Sequence, residues 1–347
     1  MKSSLPLIGE SLKPPGEDEF EISLFGPGVG ECVVVHLGYG QWVVVDSCCP
    51  VGSTEPVALS YFTALGIAAG NAVRLVVATH WHTDHIRGMA KLLEVCEQAE
   101  FVCSGALESK TFVKLITALD QRPMMESSGV DEFHRIFGVL RARAATGRAT
   151  PKWAIADRRL HEDLEAGIEV RSLSPSDAAK TLALREIGHL IPREGATKGR
   201  LETSANAAVG WTAVVNSRLR PPGQGRFFKV PHHGSPDADH PRVWSEMLIP
   251  QPVAALTQFA SGTRPLPSPA DVRRLAARTN QLYCTGPPDG WKAKAKNSAV
   301  EKTLRDAVRN LRAITGPMGH VRLRTSLRGD GDPVTVFLGN GASNLAA

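Results

Sequence analysis

Three valine-rich runs within the first eighty residues constrain the fold of this chain more than any other feature. ECVVVHL (31–37) and QWVVVDS (41–47) flank Gly38-Tyr39-Gly40, and VRLVVATH (73–80) follows ALSYFTALGIAAG (58–70), a stretch of helical spacing. β-Branched runs separated by a short glycine-containing turn predict a hairpin. A compact apolar run bounded by polar residues predicts a buried strand. The chain then reads as a helix over IRGMAKLLEVCEQ (86–98) and strands over AEFVCSG (99–105), IEVRSLSP (168–175), PVAALTQ (252–258) and QLYCTGPP (281–288). A further helix is predicted over PADVRRLAART (269–279), and a closing hairpin turns around residues 329–332. Hairpins followed by alternating strands and helices in both halves predict an α/β fold: two mixed β-sheets with outer helices, in a single domain spanning 1–347. Residues 106–165 are charged and short of β-branched runs, which predicts a helical insertion laid over the sheet near the site. Residues 176–205 are polar and poorly periodic.

Composition excludes several classes. Apolar residues make up 42% of the 347 and charged residues 22%, a globular profile. The formal charge of +5 tolerates an anionic substrate, but no Lys/Arg block marks a nucleic-acid tail. No apolar run reaches the roughly 18 residues that span a bilayer, so no membrane partner is expected. The opening MKSSLPLIGESLKPPGEDEF turns acidic too soon for a signal peptide, and a cytoplasmic location is predicted. The cysteines, at 32, 48, 49, 96, 103 and 284, show no C-x-x-C spacing and read as small core residues; the adjacent Cys48-Cys49, just beyond Asp46, is the pair with thiolates close enough to a candidate metal site to consider.

The third valine run ends in THWHTDHIRG (79–88), where His80, His82, Asp84 and His85 fall within six positions. His80 and His82 are two apart, so on an extended segment they point the same way and can hold one cation. Asp84 and His85, at the turn into the next helix, can project toward a second. Imidazole and carboxylate donors suit zinc, with manganese or iron as alternatives. Two cations roughly 3.5–4 Å apart can share a hydroxide and neutralise an anionic transition state. Further on, KVPHHGS (229–235) supplies His232 and His233, of which one is expected to ligate and the other to support the loop; His240 is a spare.

H-x-H-x-D-H after an apolar strand, preceded by a hairpin that ends in Asp, resembles the signature of the metallo-β-lactamase fold, an αββα sandwich. The resemblance runs from about Phe20 to the end of the chain and is weakest over 106–165. It implies a metal set of His80, His82, Asp84, His85 and the His232/His233 pair, holding one or two Zn2+ ions or Mn2+, with Asp46 bracing the metal loop. The HHGS motif is similar to that of the branch containing the nuclease domain of DNA-uptake (competence) proteins. FGPGVGE, HLGYGQWVVVDSC and ATHWHTDHIRG also resemble stand-alone relatives in bacterial defence gene clusters. The activity implied is a metal-dependent hydrolase, a phosphodiesterase or nuclease using a metal-bound hydroxide, on a nucleic acid or nucleotide. Asp46, Asp84 and Arg87 are the candidate catalytic groups, Arg87 either by binding an anionic substrate group or by locking the start of the next helix, and proteins from the same operon are candidate partners. The chain departs from the pattern in one place. The family has a bridging Asp between the two motifs, whereas no aspartate occurs between Asp177 and Asp237. Arg200 or Glu202 falls near that position, and Ser204 and Asn206 near a segment that orients substrate phosphate. Two rival readings therefore stand: a catalytically weakened regulatory or binding subunit, and a hydrolase of a small ester or lactone.

Overall fold

The valine runs are continuous rather than alternating because their strands are covered on both faces. β2 (Cys32–Gly38) and β3 (Gln41–Val45) pair antiparallel, with Val34 opposite Val44 and Val35 opposite Val43. Val34 and Val44 point into a helix-covered core, and Val35 and Val43 into a second core on the other face. The turn places Gly38, Tyr39 and Gly40 all at positive φ. The computed structural model describes residues 13–26, 30–80, 82–107, 129–147, 151–182, 210–259, 265–286, 318–329 and 331–346.

β4 (Val73–Ala78), β5 (Glu100–Ser104) and β6 (Lys152–Ala154) extend the sheet in parallel from β3. On the other side β1 (Glu19–Gly26) pairs with β2, followed by β12 (Gly319–Ser326) and β13 (Thr335–Gly339). The closing hairpin is thus present, and it docks against the first strand in continuous register from Glu19↔Ser326 to Gly26↔Gly319. At its heart Glu21 and Arg322, both fully buried, form an ion pair that Tyr61 caps by donating to Glu21.

The second sheet runs β14 (Ser343–Asn344), β11 (Leu282–Cys284), β10 (Leu248–Leu256), β9 (Gly225–Lys229). It packs on the first sheet through Leu24, Val321 and Leu323 from one side and Val253 and Ala255 from the other. Its outer face carries the helices Gly210–Asn216 and Pro269–Ala276, which contribute Val215 and Leu275. The second helix starts where its sequence says: Ser268 and Asp271 form a capping box ahead of Pro269. On the outer face of the first sheet lie the helices Val57–Leu65, Met89–Val95 and Gly129–Ala145. The layers are therefore helix, sheet, sheet, helix. A ribbon of β7 (Arg158–Asp163) and β8 (Ile168–Ser172) closes the remaining inner face at Leu75, Val102 and Leu160.

Two expectations are corrected. Among the described residues of 106–165, an α-helix runs over Gly129–Ala145, whereas Lys152–Ala154 and Arg158–Asp163 are strands; residues 108–128 and 148–150 of that stretch lie outside the described residues. The charges of RRLHED hide the alternation: only Leu160 of that strand is buried. The helix read over 86–98 is broken, with a turn at Thr83–Ile86 and a helix at Met89–Val95. Gly88 sits between them at φ +82, where an added Cβ would lie 2.9 Å from Cys49 Sγ and 3.0 Å from Pro56. Only glycine fits there.

A candidate metal centre between the two sheets

β3 and β4 run parallel with Val45 beside Val77, so both strands release their next residues on the same side of the molecule. Asp46 follows β3 in the left-handed region at φ +60 and is buried. Its carboxylate accepts from the Thr79 backbone N–H (2.8 Å), the Thr79 hydroxyl (2.7 Å) and His85 Nδ1 (2.7 Å). Thr79 Oγ1 also lies 2.9 Å from His80 Nδ1. A hydroxyl has one proton to give. Since Thr79 gives it to Asp46, His80 Nδ1 must be the donor to Thr79. The network thus assigns the Nδ1–H tautomer to His80 and His85, which leaves Nε2 of each as the nitrogen able to bind a metal.

The turn at 83–86 brings the remaining donors round. Metal-binding atoms of His80, His82 and Asp84 lie within 4.8 Å of one another, as do those of Asp46, His80 and His85. His80 and His85 approach to 3.8 Å between ring centroids. The turn is pinned from behind: Glu31 N–H donates to the Asp84 carbonyl (3.1 Å) and Ser47 N–H to that of His85 (2.7 Å). Gly30, at φ +91, passes so close that a Cβ would meet the Asp84 carbonyl at 2.6 Å, which accounts for the last glycine of FGPGVGE. Burial and the adjacent His85 hold His80 down to about 4. Burial lowers His85, but its hydrogen bond to Asp46 and the negative charges of Asp46, Glu31 and Asp84 together outweigh it, for a net upward shift.

The second sheet supplies the opposite wall. After β9 the chain makes Pro231-His232-His233-Gly234, with φ +50, +54 and +84 at the last three. Two consecutive non-glycine residues in this region cost about 1–3 kcal/mol each, a strain that recurs at functional loops. It lets neighbouring imidazoles diverge: His232 is exposed, while His233 is buried and stacks on Phe259 at 4.9 Å. His233 Nδ1 lies 2.9 Å from Thr257 Oγ1, and that hydroxyl donates to Glu31 Oε2 at 2.7 Å. The other Glu31 oxygen accepts from Lys229 Nζ at 2.5 Å. Burial pushes Glu31 up, but Lys229 and His85 outweigh it and bring it down to about 2. Burial lowers His233 to about 4.

A cavity of about 680 Å3 lies between these walls. His80, His82, Asp84, His85, His232 and His233 all line it, with Val33, Val45, Phe259 and Leu266 as its apolar part. Lys229 is its one Lys or Arg among the described residues. Among the described residues neither His232 nor His233 joins a three-donor group of 4.8 Å. The donor set of imidazole nitrogens and a carboxylate fits a zinc-like cation.

Arg87 does not reach this cavity. Its guanidinium donates to the Ser53 carbonyl (3.2 Å), and it lines a separate cleft with Cys49, Lys91 and Arg135. Of the two roles open to it in sequence, binding a substrate anion or locking the start of the next helix, the first would need it at the cavity, and it is not in that lining. Cys48 and Cys49 are buried free thiols outside the cavity lining, and burial pushes Cys49 up to about 11. His240 contacts Thr212 at 3.3 Å and is likewise not in the lining. Trp81, Arg200, Glu202, Ser204 and Asn206 lie outside the described residues. Sequence reasoning did not single out Thr79, Glu31, Lys229 or Thr257. Glu31 carried a signal, being a carboxylate set directly against a valine run; a threonine in a strand carries none.

Comparison with known proteins bears on the first half of this arrangement. Residues 25–166 match the family model described as Metallo-beta-lactamase superfamily, a stretch that contains His80 to His85 and stops short of His232 and His233. With the four layers above, this gives the fold class, a metallo-β-lactamase αββα sandwich. Among solved structures, the crystal structure of MEM-A1, a subclass B3 metallo-beta-lactamase isolated from a soil metagenome library, is similar at 16% identity and a TM-score of 0.25. That similarity covers 42% of this chain and 49% of that one, so the chain spans about half the length of the structure it matches. No curated protein matches. Among the described residues no helix is long and apolar enough to cross a membrane.

Proposed function

We propose that the chain is a metal-dependent hydrolase whose centre is held by His80, His82, Asp84, His85 and His233, and that it cleaves a phosphodiester. The observation that carries this is the Asp46 network: two imidazoles are fixed with Nε2 available, beside a third imidazole and a carboxylate, on the wall of one cavity. A divalent cation held there supplies Lewis acidity and lowers the pKa of a bound water. Asp46 keeps His80 and His85 in the binding tautomer, and Asp84 adds the negative charge that favours a dication. His233 closes the set from the second sheet, and His232, exposed at the mouth, is placed to contact substrate. The phosphodiester assignment rests on the resemblance of KVPHHGS to the nuclease branch, and Lys229 lies in the cavity wall as a partner for an anion.

A second reading, a small ester or lactone as substrate, is favoured by one specific feature. Val33, Val45, Phe259 and Leu266 make part of the wall apolar, which suits an acyl group better than a sugar–phosphate chain. The deciding experiment compares turnover of bis(p-nitrophenyl) phosphate and of an aliphatic lactone by protein reconstituted with Zn2+ or Mn2+. Preference for the diester, abolished by His82→Ala, supports the proposal. Turnover of the lactone alone selects the second reading, and turnover of neither contradicts hydrolysis.

A further inference from the structure

The contacts of His233 repeat, on the second sheet, the arrangement around His80. In the first, His80 Nδ1 donates to Thr79 Oγ1 and that hydroxyl donates to Asp46. In the second, Thr257 Oγ1 gives its single proton to Glu31 Oε2 at 2.7 Å, so at 2.9 Å from His233 Nδ1 it can only accept. The Thr257 carbonyl, 3.1 Å from the same nitrogen, is an acceptor too and agrees with that assignment. His233 therefore carries its proton on Nδ1 and presents Nε2. Among the described residues its neighbour His232 has no such relay, and it is exposed. From the geometry we infer that Glu31 and Thr257 are positioning residues which fix His233, rather than His232, as the metal-binding imidazole of the second sheet. The inference rests on the metal centre proposed above.

Glu31 does more than terminate the relay. It sits immediately before β2, in the first sheet, yet both its carboxylate oxygens are engaged by the second, Oε1 by Lys229 on β9 and Oε2 by Thr257 just after β10. Its backbone N–H holds the Asp84 carbonyl. One residue thus touches the loop of Asp84, the strand leading to His233 and the hydroxyl that orients His233. Lys229 provides the positive charge that keeps this buried carboxylate ionised, and an ionised acceptor holds the Thr257 hydroxyl more strongly than a neutral one. The relay couples the spacing between the two sheets to the direction of Nε2.

The test is Thr257→Val, which keeps shape and removes the hydroxyl, beside Thr257→Ser, which restores it, and Glu31→Gln. Two quantities are read: the tautomer of His233 from long-range proton–nitrogen NMR of the imidazoles in metal-free full-length protein, and Zn2+ affinity by chelator competition. The expected result for Thr257→Val is a mixed or Nε2–H tautomer at His233 and an affinity lowered about 10- to 100-fold, the usual effect of losing such an outer contact, with Thr257→Ser close to wild type. His80 should keep its tautomer in every variant. Glu31→Gln should lower affinity in the same direction; if it fails to fold, the Val/Ser pair decides. A His233 tautomer and a Zn2+ affinity both unchanged in Thr257→Val would overturn the inference. Wild type that binds no Zn2+ would overturn the proposed function, while the metal-free NMR would still report on the relay by itself.

Discussion

On the first sheet His80 leans on Thr79 and Thr79 on Asp46; on the second, His233 leans on Thr257 and Thr257 on Glu31. Each relay is an imidazole, a threonine hydroxyl and a buried carboxylate, yet their assembly differs. Thr79 and His80 are adjacent, and Asp46 reaches them because β3 and β4 are parallel neighbours in one sheet. The second relay joins residues that are 24 and 226 positions apart and exists only when the two sheets are packed. A centre built this way has one wall set by local strand pairing and one set by sheet packing. Disturbances of packing should therefore reach His233 before they reach His80.

The largest effect is expected from Asp46→Ala. That carboxylate serves two imidazoles and two donors of Thr79, and Zn2+ affinity should fall by about 100-fold or more, read by chelator competition. An affinity within a few-fold of wild type would show that the first relay is not what orients the ligands. Thr79→Val removes the hydroxyl that joins His80 to Asp46 but leaves the direct bond between Asp46 and His85, and should cost less, about 10-fold, with the NMR tautomer of His85 unchanged.

Acid acts on both walls in the same sense. His80 and His233 have folded values near 4 against an ordinary 6.5, so between those pH values the unfolded chain binds more protons than the folded one. The stability of the metal-free protein is then full above pH 6.5, is lost as pH falls toward 4, and levels off below for these two groups. Glu31, near 2 against 4.5, adds a loss of the same sign between 4.5 and 2. His85, shifted upward, works in the opposite sense above pH 6.5. In urea melts across pH 6.5 to 4.5, His233→Ala should flatten the slope by up to about 1.4 kcal/mol per pH unit, one proton's worth. An unaltered slope would mean that His233 is not held neutral in the folded chain. The smallest effect belongs to Arg87→Ala. Its guanidinium rests on Ser53 outside the cavity, so turnover should stay within about two-fold of wild type, as for an ordinary surface substitution. A large drop in kcat would return Arg87 to the site.

How much of this could be read in advance follows from the same contrast. VVVHLGYGQWVVVDS announces its hairpin because valine runs and a glycine turn are local signals, and the αββα class followed from the order of such elements. H-x-H-x-D-H is legible because four donors are compressed into six positions. Which of its two roles suits Arg87 was not legible because adjacency in sequence does not say which way a side chain leaves a loop, and RRLHED was misread because one inward leucine among charges carries no visible period. Thr257 and Lys229 were not singled out at all. Their importance depends on meeting Glu31 across two sheets, a contact that no local pattern encodes. The choice between His232 and His233 likewise depends on loop dihedrals, and two identical side chains in sequence cannot express it.

The central claim is that both walls hold one centre. Elemental mass spectrometry of metal content, on purified wild type beside His82→Ala and His233→Ala, tests it most directly. The account predicts about one to two equivalents of zinc or manganese in the wild type, with less in each variant. Near zero in the wild type, or a His233→Ala protein that retains its full metal content, would contradict it.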